Sequence, residues 1–121
     1  MRREESEMAK RGKAGDKLPG PFEKFTKEFP EVFQGYDSMG KAAHAGGPLD
    51  AKTREFVKLG MSIGARLEGA THSHVRKAPA AGATAKEIRH ATVLAISTLG
   101  LPTTIMAFTW VDDVLEGKHR R

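Results

Sequence analysis

The sequence predicts an all-α protein, a compact bundle of about six helices that assembles into an oligomer. Three observations lead there. Apolar residues recur at spacings of three and four, as in Phe56, Leu59, Ile63 and Leu67, which is the period of one helix face. No stretch sustains the alternation of a half-buried strand. Glycine and proline fall between the periodic segments and cut the chain into helix-sized pieces.

From Met1 to Gly20 the chain is charged and small, and Pro19, Gly20 and Pro21 close it, so little there offsets the cost of ordering the backbone. We expect a flexible arm over 1–20. Phe22, Phe25 and Phe29 then form one helical stripe that Pro30 ends, and Pro30 suits the first turn of a second helix running to about Ala45. That helix would present Val32, Phe33, Tyr36 and Met39 on its apolar side, and Gly46, Gly47 and Pro48 force a loop after it. Asp50 is placed to cap a helix over Ala51–Leu67, in which Gly60 and Gly64 make a smooth strip that another backbone can approach. Gly69 marks a break, and a helix from about Ala70 to Ala81 is expected to kink or fray at Pro79. Gly82 suits the left-handed residue after a helix. Thr84 and Glu87 form a capping box opening a helix that carries Ile88, Ala91, Ala95 and Leu99 on one face. Gly100 to Pro102 stops it. A last helix, Thr103 to about Leu115, turns Ile105, Met106, Phe108, Trp110, Val111 and Val114 inward or into a subunit contact. The expected organisation is one domain over 21–117 with a short basic end, 118–121.

Composition narrows the function. The chain has 121 residues, 39% hydrophobic and 29% charged, with no apolar run near the roughly 18 residues of a membrane span. Its net charge of +5 comes from the ends: residues 20–117 hold eleven basic and eleven acidic side chains. A neutral body argues against nucleic acid as a partner. The absence of an apolar leader in the charged first residues points to a cytoplasmic location. There is no Cys, so disulfides, Cys-ligated metals and thiol catalysis by this chain are excluded together.

Three blocks carry a resemblance to a known family: Leu49 to Glu55, His74 to Ile88 (His-Val-Arg-Lys-Ala-Pro-Ala-Ala-Gly-Ala-Thr-Ala-Lys-Glu-Ile), and Gly100 to Thr104. Over Leu49 to Glu116 the chain resembles the carboxymuconolactone decarboxylase family, which includes the alkylhydroperoxidase D-like proteins. The resemblance implies a small all-α unit forming trimers or hexamers with pockets near subunit contacts. In the peroxidase branch a CxxC pair precedes the His, and its two positions fall here on Leu67 and Ala70. Thiol-dependent peroxide reduction therefore has no nucleophile. Glu55 and His74 match the family's relay Glu and His, and Glu68 stands where the decarboxylase branch tends to have an acid. That branch acts on a carboxylated lactone.

Carboxylate plus imidazole is a workable proton-transfer pair, since the carboxylate fixes the ring's tautomer or stabilises its cation. We take Glu55 and His74 as that couple, with Glu68 or His72 assisting and Arg76 available to a substrate carboxylate. His72 and His74 invite a metal reading, but residues two apart on a helix point about 200° apart and cannot hold one ion. A site would need a third ligand from Glu68, His44 or His90, and we expect neither a metal nor a cofactor. The expected function is cofactor-free proton transfer or decarboxylation on a small carboxylated compound by a homo-oligomer. The competing expectation is a non-catalytic binding or scaffold module that kept the fold.

Overall fold

The computed structural model describes residues 20–117. Every regular element among them is helical: α1 (Gly20–Glu28), α2 (Pro30–His44), α3 (Ala51–Gly64), α4 (Glu68–Lys77), a 3₁₀ turn (Ala78–Ala81), α5 (Ala85–Val93), α6 (Ile96–Leu99) and α7 (Leu101–Leu115). The predicted arm lies outside the described residues except for Gly20, which opens α1, and the basic end 118–121 also lies outside them. The residues expected to form one domain group into two compact units that divide between Pro48 and Leu49.

In the first unit the phenylalanine stripe holds α1 to α2. Phe22 meets Phe33 edge to face with ring centres 5.8 Å apart, and Phe25 lies 5.7 Å from Phe29, contacts that add to the area they bury. Pro30 sits in the first turn of α2, where its missing N–H costs nothing. Val32, Tyr36 and Met39, expected on an apolar face, are more than half exposed.

The second unit contains the core. Leu59 and Ile63 of α3, Val75 of α4, Ala78, Ile88 of α5, and Ala107 and Val111 of α7 are buried together. Burying each Leu, Ile or Val side chain contributes about 1.5–3 kcal/mol. α4 packs against α3 on one side and α7 on the other, and α5 also packs on α7. On α7 the fully buried positions are Ala107 and Val111, four apart, whereas Ile105 is 56% exposed.

Several boundaries differ from expectation for local reasons. α3 ends at Gly64 because Arg66 turns left-handed (φ 59°), with Arg66 N–H donating to Ile63 O and Leu67 N–H to Ser62 O. This is a Schellman-type stop built without glycine. The Arg66 side chain donates from Nη1 to Thr103 Oγ1 at 2.8 Å, tying that turn to the start of α7. Gly69 lies in the first turn of α4, not at a break. At Pro79 the chain tightens into the 3₁₀ turn, which Gly82 closes at φ 104°. The helix expected from Thr84 to Leu99 divides at Leu94 and Ala95. There Thr92 Oγ1 donates back to Ile88 O and Ala95 N–H reaches Thr92 O, a back-bonding pattern that bends helices. Gly60 and Gly64, read as packing glycines, have nothing within 4 Å of where a Cβ would stand, so no backbone among the described residues uses the strip.

Candidate functional site: two histidine–carboxylate clusters on α4

α4 is held by the two helices packed on it, α3 and α7. Asp50 caps α3 by accepting from Thr53 N–H at 2.9 Å. The capping box of α5 is complete: Glu87 N–H donates to Thr84 Oγ1 at 3.1 Å, and Thr84 N–H donates to Glu87 Oε1 at 3.0 Å. Glu87 also accepts from Lys52 Nζ at 2.9 Å, joining α3 to α5. The hydrogen bonds with Thr84 and Lys52 hold its carboxyl below the usual value. At the far end of α7, Arg89 donates to Asp112 Oδ1 at 2.7 Å and Glu116 Oε2 at 2.9 Å. These links tie α5 to α3 and α7, the two helices that pack on α4.

On the α3 side, His74 Nδ1 lies 2.8 Å from Glu55 Oε1, and both side chains are only 12% exposed. Burial pushes the Glu55 carboxyl up, but the His74 hydrogen bond and the charges of His74, Lys77 and Lys58 outweigh it, and the net effect is a lowered value. Glu55 is thus held as a carboxylate. With Nδ1–H donating to Glu55, the imidazole is left with Nε2 for exchange with a third group.

On the α7 side, His72 Nε2 lies 3.2 Å from Asp113 Oδ2 and 4.0 Å from Glu68 Oε2. His72 is buried, with 4% of its side chain exposed. Ligand atoms of Glu68, His72 and Asp113 all lie within 4.8 Å of one another, making them the one such group of possible metal donors among the described residues.

The predicted site residues therefore fall into two sets. Glu55 and His74 come together. Glu68 and His72 come together with Asp113 on the opposite side of the helix, as the two-residue spacing of the histidines requires. Arg76 is half-buried further along α4. His44 closes α2 instead of lying in a loop, and His90 is exposed on α5. Asp113 was missed by sequence reasoning, because it looks like one of several acids on a terminal helix. Its only signal was its place in an apolar helix, two residues past the core residue Val111. A groove of about 340 Å³ runs along α1, lined by Gly20, Glu23, Lys24, Lys27 and Glu28, and includes neither cluster.

The second unit is thus a small helical body in which a largely covered carboxylate–imidazole pair joins adjacent helices. The chain belongs to the carboxymuconolactone decarboxylase family, whose sequence profile it matches over residues 30–113. Its fold is that of a carboxymuconolactone decarboxylase family protein from Legionella pneumophila, solved in the apo form. The TM-score is 0.68 at 23% identity, covering 95% of this chain and 96% of that one. An uncharacterized protein of Haemophilus influenzae is 37% identical over 57 residues, 47% of this chain and 50% of its own length. The match thus spans half of that curated relative. No described helix is long and apolar enough to cross a membrane.

Proposed function

We propose that the protein is a cytoplasmic, homo-oligomeric lyase of the carboxymuconolactone decarboxylase type, a trimer or hexamer, in which Glu55 and His74 move a proton on a small carboxylated compound without a cofactor. The observation that carries this is the 2.8 Å contact between two largely buried side chains on different helices. In the decarboxylation, the bond to the carboxylate carbon breaks, CO₂ leaves, and the electron pair remains on the substrate as a carbanion or enolate. His74, protonated on both nitrogens, gives its Nε2 proton to the substrate carbon that keeps the electron pair, the one the CO₂ has left, and keeps Nδ1–H on Glu55. The Glu55 carboxylate stabilises the imidazolium before the transfer and holds the ring in the matching tautomer afterwards. A positioned acid of this kind contributes about 10²- to 10⁴-fold. Arg76 is the candidate to meet a substrate carboxylate, and Glu68 and His72 act from the other face of α4 by holding the helix.

Assembly is supported by apolar side chains that one chain leaves open. Met61 on α3 and Leu101 and Ile105 on α7 are 66%, 56% and 56% exposed, and Gly60 and Gly64 of α3 face open space. Exposed apolar surface of this kind favours contact between copies of the chain. The same surface favours a second reading, a non-catalytic oligomeric scaffold in which the Glu55–His74 bond only ties α3 to α4.

The test is a screen of lactones and β-keto acids for CO₂ release, followed by Glu55→Gln and His74→Ala. Loss of turnover by at least about 100-fold in both, with the oligomer intact by light scattering, supports catalysis. Turnover that survives both changes sinks the assignment. A lowered Tm with no substrate found promotes the scaffold.

A further inference from the structure

We infer that Glu68, His72 and Asp113 form a binding site for a first-row divalent cation, of the Zn²⁺ or Mn²⁺ class, independent of the Glu55–His74 couple. Glu68 stands in the first turn of α4 and His72 one turn later, so both project from one face. Asp113 comes from α7, packed on that face. A hydrogen bond to His72 Nε2 needs one carboxylate, and Asp113 at 3.2 Å supplies it. Glu68 Oε2, at 4.0 Å from the same nitrogen, is beyond hydrogen-bond range. Both separations suit a shared cation. Ligands about 2.1 Å from a metal stand roughly 3–4 Å apart in tetrahedral or octahedral geometry, and small rotations of the two carboxylates bring the widest pair, within 4.8 Å, into that range.

Charge and access agree. Two carboxylates and a neutral imidazole balance a dication, and one nitrogen with hard oxygens selects Zn²⁺, Mn²⁺ or Fe²⁺ over soft ions. His72 is 4% exposed, Asp113 26% and Glu68 36%. The imidazole thus forms a closed floor, and the carboxylates leave an outer side where water would complete the coordination. The rejected arrangement was His72 with His74 on one ion; here the second and third ligands lie at i−4 on the same helix and on a facing helix.

The full chain, stripped with a chelator, should take up one Mn²⁺ per chain, read as loss of the free-ion electron paramagnetic signal, and Zn²⁺ should compete for it. Asp113→Asn and His72→Gln should each weaken Mn²⁺ binding by at least about 100-fold, and Glu68→Gln by about 10-fold. His74→Ala should leave it unchanged. Glu68→Gln alters a part-exposed side chain, so it remains informative if the buried His72→Gln variant fails to fold. No uptake by the wild type, or uptake unaltered in both Asp113→Asn and Glu68→Gln, overturns the site, and sensitivity to His74→Ala alone would move it to the other face.

Discussion

The two sides of α4 carry the same residue type, two positions apart, in different surroundings. On the α3 side, His74 meets one carboxylate at 2.8 Å, with both partners equally covered. On the α7 side, a more deeply buried His72 faces two carboxylates at 3.2 and 4.0 Å, each more open to solvent than the ring. One short closed contact suits holding and passing a proton. Two carboxylates around one buried nitrogen suit gathering a cation. The difference arises from what packs on each side of the helix, not from α4 itself.

That comparison can be broken most forcefully through the core both sides share. Leu59 is 1% exposed on α3, one turn beyond Glu55, in the cluster that also holds Val75 of α4 and Val111 of α7. Leu59→Ala should cost about 2–5 kcal/mol, measured by urea unfolding, and should weaken the chemistry of both faces together. A loss confined to one face would show that the two are supported separately. Thr84→Ala removes the N-cap of α5, away from α4, and should cost about 1 kcal/mol. At temperatures where the variant stays folded, Mn²⁺ uptake and turnover should match the wild type.

The smallest effect sharpens the α3 side alone. Glu55 ordinarily titrates near 4.5 and is held below that in the folded chain. The stability its ionised form contributes is complete above its ordinary value and is lost as pH falls through the lowered folded value. The Tm of the wild type should therefore fall more steeply below pH 4.5 than that of Glu55→Gln. Parallel acid limbs would show that the pair adds nothing to the folded state.

Much of the architecture was legible because its signals are local. The Asp50 cap and the Thr84–Glu87 box depend on residues three apart and appear as read. The i, i+3 and i+4 pattern placed Leu59 and Ile63 in the core. The failures were also local but finer. A left-handed Arg66 in place of glycine, a 3₁₀ turn at Pro79 and a back-bonding Thr92 each moved a boundary by a few residues. Asp113 failed differently. It is 41 residues from His72 along the chain, and no local pattern ties the two.

By itself the sequence determined the helical class, the main caps, the absence of thiol chemistry and the rule that His72 and His74 must face opposite ways. All of these follow from composition or from the 100° step of a helix. The pairing of Glu55 with His74 was expected from the family resemblance, whereas only the tertiary structure decided that His72 meets Asp113, because that depends on the packing of α7 against α4 across a gap of 41 residues. Side-chain periodicity says which way a residue points, and long-range packing decides what stands there to receive it.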